Sequence, residues 1–511
     1  MKIRFKLISV VVILIAIMAT TLSGSVLAGS TAKTLSTNYT LVNFGTLDAD
    51  VTVSYMKDDG TAWTALPGNT EFTIPANFGM NQVRQYFDTS LTPGQGSVVV
   101  SSSQPLGAIV QIQARNQTPT QGAYTGYSEG SNLFYVPLAA KNRTTASGFA
   151  NSQIVVQNTD DFDFTATIDL YSGTTLSYSK LTPTLKPGQS FYYDLANETE
   201  GNLASGWIGS AVVTGGNSGT VAVVANFFTG ADAMQTFNAF PAESVGPNWV
   251  IPLFFSRLPN GLSTVVTVQN LSGGTLAAGA VSLSCTRDKT GTPLDSFTIT
   301  NPAAIASNSS YSFNPVVDTV LFPTGNWGGS CQLDAGAGDV VVIVQLRYVG
   351  VTNQGAAAYE AISESGTAGK TMVVPLIAKR LPNGFASVVT IQNMDMDKVG
   401  GQSASVTLTY KPSFNLSECP LASCDINHDG FVTDLDKIIV GPLIIPPASS
   451  IQRNHRLPSG AENAENTLPE NWQGSLMVVS TTSNINGFVQ LTNYLNAVGD
   501  TFMAHDIFVL P

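Results

Sequence analysis

Most of the chain alternates apolar and polar residues over short runs. Ala49 to Tyr55, Thr264 to Asn270, Ser387 to Asn393 and Ser403 to Tyr410 are rich in β-branched residues and largely alternating. That pattern sends one face of a strand to a core and the other to water. Between the runs lie turn clusters such as Leu258-Pro259-Asn260-Gly261 and Leu381-Pro382-Asn383-Gly384. Asn-Gly marks a tight turn because both residues tolerate positive φ. Beyond the N-terminal segment nothing sustains a helical period for three turns. The pattern predicts an all-β chain.

The strands recur as a set. A phrase ends at Asn43, Asn158, Asn270 and Asn393. A Gly-Ser turn stands at Gly96-Ser97, Gly209-Ser210, Gly329-Ser330 and Gly474-Ser475. A Val-Pro-Leu strand stands at Val136-Pro137-Leu138, Ile251-Pro252-Leu253 and Val374-Pro375-Leu376. Repetition on this scale fixes the architecture before any local motif. Short strands with regular turns predict four tandem Ig-like β-sandwich domains. Phe508-Val509-Leu510-Pro511 reads as a fourth Val-Pro-Leu strand, which places that strand at the end of a unit. The expected units are 29–138, 139–253, 254–376 and 377–511. Each closing strand runs straight into the next unit, which predicts a semi-rigid rod of beads. Trp207, Trp327 and Trp472, two residues before the recurring Gly, read as core or edge plugs. The Gln-Asn pairs at strand ends read as partners for turn backbone groups.

The first residues form a secretion signal. Lys2, Arg4 and Lys6 precede an apolar run from Leu7 to Met18, and Val26-Leu27-Ala28 supplies the small residues of a cleavage site. Segment 1–28 is therefore expected to be removed, leaving a secreted chain with no membrane insertion. The formal net charge is −12 and only 11% of residues are charged. No Lys/Arg cluster stands out, which argues against nucleic acid as a partner. Four cysteines in an exported chain predict two local disulfides, Cys285–Cys331 and Cys419–Cys424. Cys285 stands near the position of Tyr55, Tyr171 and Tyr410, and Cys331 near that of Val98, Ala211 and Leu476. One disulfide can thus replace a core contact between two strands.

The fourth unit carries an insertion at about 412–442. It contains Asp425-Ile426-Asn427-His428-Asp429-Gly430-Phe431-Val432-Thr433-Asp434-Leu435-Asp436. A hard cation wants six or seven oxygens. Asp425, Asn427 and Asp429 offer side-chain oxygens at loop positions 1, 3 and 5, and Gly430 permits the bend at 6. Phe431 offers its carbonyl, Thr433 a direct or water-mediated oxygen, and Asp436 closes the shell at 12. Val432 is the apolar anchor. These residues resemble one half of a type I dockerin or, more loosely, an EF-hand loop. The resemblance implies a bound calcium ion and a short helix starting near Thr433. The loop occurs once, so a calcium site is expected rather than a paired docking module. The repeat phrases also resemble those of β-sandwich repeats in exported bacterial surface proteins, which implies exposure at the cell surface.

No enzyme is expected. The three histidines are His428, His455 and His505, and His505-Asp506 lacks a nucleophile elbow. Asp160, Asp161 and Asp163 are close in sequence but not repeated. The expected role is structural or adhesive, secreted or held at the cell surface, with a glycan or protein there as partner. The alternative is a carbohydrate-binding or dockerin-linked component of an extracellular degradative assembly.

Overall fold

The computed structural model describes residues 34–510 except 115–117, 146–147, 174, 201–202, 288–294, 323–324, 351–354, 365–367, 459–467 and 496–498. The expected signal segment lies outside the described residues. The regular structure of the described residues is almost entirely strand, as the alternation predicts. Among the described residues no helix is long and apolar enough to cross a membrane.

Each unit is built from two antiparallel sheets. In the second unit one sheet runs Ser190–Asp194, Gly148–Asn158, Val221–Thr229, Ala233–Asn238. The other runs Thr175–Leu181, Ala166–Ser172, Trp207–Gly215, Leu133–Lys141, Phe240–Pro241. The third and fourth units repeat this order. In the first unit the described strands form sheets of four and three. The order departs from the immunoglobulin one at its edges. There the last two strands, F and G, lie beside each other. Here Val221–Thr229 crosses to pair with Gly148–Asn158, and Leu133–Lys141 takes its place.

The expected boundaries at 138/139, 253/254 and 376/377 each cut a strand. Leu133–Lys141 pairs with Trp207–Gly215, Asn248–Ser256 with Trp327–Asp334, and Thr371–Lys379 with Trp472–Ser480. The Val-Pro-Leu strand therefore opens a unit instead of closing one. Phe508–Leu510 is not its fourth copy. It pairs with Thr371–Lys379, as Phe240–Pro241 and Ile362–Ser363 pair with their own opening strands. The proline has a local reason. The register shifts between Ile251 and Phe254 and between Val374 and Ile377, and a residue without an N–H is tolerated at such a bulge.

The recurring residues are explained by packing. Asn43, Asn158, Asn270 and Asn393 are all buried. Each side-chain amide donates to at least two turn carbonyls, such as Phe162 and Leu185 for Asn158, and each Oδ1 accepts an N–H two residues on. Trp327 and Trp472 are buried and Trp207 is half-buried. A Cβ on Gly474 would sit 2.0 Å from the Lys411 carbonyl oxygen and 2.6 Å from the Trp472 ring, so only glycine fits there.

Burial divides the two sheets of a unit. Ala49–Lys57 alternates buried and exposed residues, as a sheet facing solvent should. Leu262–Asn270 and Phe385–Asn393 have all but their first residue buried. Strands buried on both faces need a second covering layer. The neighbouring unit supplies it. Gln121–Thr125, Ala233–Asn238, Ala356–Glu360 and Phe502–Asp506 pack beside one another around a common axis, the last against the first. The four units thus close into a ring, and the expected rod is incorrect.

The Gly-Ser motif makes the seams. The Ser97 hydroxyl donates to the Gly188 carbonyl of the second unit, and Ser210 to Asn308 of the third. Ser330 donates to Ala448 of the fourth at 3.0 Å, and Ser475 returns to Phe78 of the first at 2.8 Å. All four acceptors have positive φ, at 77° for Gly188, 62° for Asn308, 54° for Ala448 and 70° for Phe78. Left-handed backbone costs a residue with a side chain about 1–2 kcal/mol. The turn held by each Asn anchor aims that carbonyl at its neighbour.

Candidate functional site

Two places concentrate polar side chains: the insertion on the fourth unit and the axis of the ring. The insertion joins Ala404–Pro412 to Ile438–Ile445, which pair as a hairpin, so it occupies residues 413–437. Asn415 starts it, its carbonyl accepting the N–H groups of Glu418 and Cys419. A single helical turn, Leu421–Cys424, follows Pro420 and was not legible in the sequence. Cys419 and Cys424 are bonded across it, with Cα atoms 5.7 Å apart. Both are buried in the core that holds Tyr410 and Trp472, so the disulfide pins the loop's entry to the body of the unit. The pairing is as expected, and so is Cys285–Cys331, at 4.0 Å between Cα atoms.

The loop itself is a web of oxygens. Asp425 accepts the N–H of Asp429 on Oδ1 at 3.1 Å and that of Gly430 on Oδ2 at 2.8 Å. Asn427 Oδ1 accepts the Asp429 N–H, and its amide donates to Asp429 Oδ2. Asp429 Oδ1 accepts the Phe431 N–H. The bends come from His428 and Gly430, with φ of 60° and 92°. Val432 packs against the unit's core. Thr433 caps a short 3-10 turn, Asp434–Asp436, which stands where the short helix was expected. A strand from Ile438 then ends any helix.

Asp436 is buried and turned to the backbone. Its Oδ1 accepts from Ile426 and Asn427 at 2.8 and 3.1 Å, and its Oδ2 from Thr433 at 2.7 Å. Burial works to raise its pKa, but these three N–H donors hold it below the usual carboxylate range. Asp425, Asn427, Asp429 and Asp436 are thus joined in one hydrogen-bonded loop. Among the described residues no three His, Cys, Asp or Glu side chains stand grouped as a metal site. The donor set fits a hard cation in its chemistry: side-chain oxygens from Asp425, Asn427, Asp429, Thr433 and Asp436, and the Phe431 carbonyl. Asp425, Asn427 and Asp429 share the exposed turn, whereas Asp436 is held behind it.

The axis was not legible as a site. Asp500 is completely buried at one end of it. Its carboxylate accepts the N–H of Met234 and of Ala356, each at 2.9 Å, and those of Phe502 and Gln121. One donor comes from each unit, so the four axial strands start at this end and run the same way. Burial pushes the Asp500 carboxyl's pKa up, and the four amides pull against that. At the far end Thr125 N–H donates to Asn238 Oδ1, Asn238 N–H to Glu360 Oε1, and Glu360 N–H to Asp506 Oδ2. Glu360 and Asp506 also bond to each other, and burial raises the pKa of both. They face a cavity of about 330 Å³ lined by all four units. A lone acid in a polar stretch gives no sequence signal of this kind.

His505, whose pKa burial lowers to about 4, and His455, lowered to about 3, are interior histidines held neutral. His455 contacts the Tyr410 hydroxyl and the Ser387 carbonyl. Of the acids noted together in sequence, Asp160 accepts the Thr220 N–H in a turn. Comparison with protein-family models gives no match, and comparison with curated proteins gives none either.

Proposed function

We propose that this chain is an exported structural or adhesive protein that binds calcium and presents four β-sandwich units as one compact ring. The observation that carries the reading is the oxygen-only loop from Asp425 to Asp436 on a disulfide-pinned insertion. Asp425, Asn427, Asp429, Phe431, Thr433 and Asp436 would hold the ion. Its contribution there is charge neutralisation and order, not reaction chemistry. The resemblance of the loop to dockerin and EF-hand loops supports the same assignment. Two buried disulfides suit an oxidising compartment, and the basic, apolar and small-residue order of segment 1–28 supports export. The ring favours recognition by the surface of a compact body over a role as a spacer.

Titration calorimetry of the protein recovered from the extracellular fraction tests this reading. One calcium per chain is expected, and Asp425→Ala should abolish the binding heat. Absence of calcium uptake by the unaltered protein would overturn the calcium reading.

A further inference from the structure

The ring has one seam that chain connectivity does not support, between the fourth unit and the first. The insertion lies on it. Lys411, two residues before the insertion and 7% exposed, reaches across. Its Nζ donates to the carbonyls of Ala76 and Asn77 in the first unit at 3.1 and 2.8 Å, and pairs with Asp434 Oδ1 at 2.9 Å. Asp434 stands inside the turn that ends the oxygen loop, two residues before Asp436. Glu418, buried beside the disulfide, accepts the Gln82 N–H of the first unit and faces Arg84. So Lys411 and Glu418, both on the entry side of the loop's disulfide, grip the segment 76–84.

That segment needs holding. Asn77 and Phe78 are consecutive left-handed residues, at φ of 57° and 70°, and neither is glycine. The corresponding turn of the second unit uses Gly188. Their carbonyls are the acceptors for Lys411 and Ser475. Four carboxylates, Asp425, Asp429, Asp434 and Asp436, crowd the twelve residues of the loop, with Lys437 Nζ 3.8 Å from Asp434. Their mutual repulsion opposes the turn that places Asp434, and a bound cation removes that repulsion.

We infer that calcium binding to the loop latches the seam between the fourth and first units, with Lys411 carrying the coupling. The inference rests on the calcium reading above. A ligand that binds the ordered loop more tightly stabilises whatever that order holds in place.

Hydrogen exchange followed by mass spectrometry on the full chain, with calcium or with chelator, tests the latch, and calorimetry on the same sample reports binding. Chelation should speed exchange in 74–83 about tenfold, a common size for coupling, together with 411–436. The equivalent turns at 186–190 and 306–310 should not change. Lys411→Met should still bind one calcium yet leave 74–83 exchanging fast in both conditions. Calcium binding that protects 411–436 alone would overturn the latch and leave the calcium reading standing. Absence of binding would remove both. A Lys411→Met protein in which calcium still protects 74–83 would overturn the assignment of the coupling to Lys411.

Discussion

Asp500→Ala is expected to destabilise the ring as a whole, by about 4 kcal/mol or more, since each buried donor left without an acceptor costs roughly 1–3 kcal/mol. Four such donors depend on this carboxylate, one from each unit. The change should therefore lower the melting temperature of the entire chain, not that of one unit. Asp500→Asn keeps one acceptor oxygen and should fall between the two. Calorimetric melting measures the effect. A loss below about 1 kcal/mol, the size of an ordinary point mutation, would mean that the axis is not held at this residue.

The next largest effect is expected at the third unit. Cys285 and Cys331 stand directly opposite each other on paired strands, with a sequence separation of 46. Closing a loop of that length stabilises by about 4 kcal/mol on the chain-entropy estimate. Replacing both with Ser should cost about that much, read from denaturant unfolding. The other units show what the bond replaces. Tyr55 faces Val98 in the first and Tyr410 faces Leu476 in the fourth. In the second the pair is Leu170 and Ala211, so Tyr171 is one residue out of the register expected for it. The double change Cys285→Tyr with Cys331→Leu should therefore recover part of the loss. No recovery at all would show that the position does not accept the aromatic pair.

Sequence carried the within-unit structure well and the between-unit structure hardly at all. Alternation, Asn anchors, Trp plugs and cysteine placement all act through neighbours in the same sandwich. Their physical constraints leave marks at fixed spacings. The seams use Ser97, Ser210, Ser330 and Ser475, and a hydroxyl aimed at another unit's turn looks like any serine after a glycine. One clue was present. Val265-Val266 and Val388-Val389 break strict alternation, and both strands prove buried on two faces. The boundary error came from Phe508-Val509-Leu510, whose composition resembles the Val-Pro-Leu strand but whose partner is that strand. In the insertion, the hydrogen-bonded loop and the disulfide were legible because turn spacing and cysteine proximity are local. Lys411, Glu418 and Asp500 were not, because each acts on residues far away in sequence.

Closure of the ring is the claim on which the axis, the seams and the latch all depend, and small-angle X-ray scattering of residues 29–511 tests it most directly. A compact chain of that length has a radius of gyration of about 23 Å. The ring should lie within a few ångströms of this value, with a pair-distance distribution of one maximum. Four sandwich units in file, each about 35–45 Å long, would give a radius of gyration of about 40 Å or more and a long tail of distances. That extended profile would contradict the closed ring.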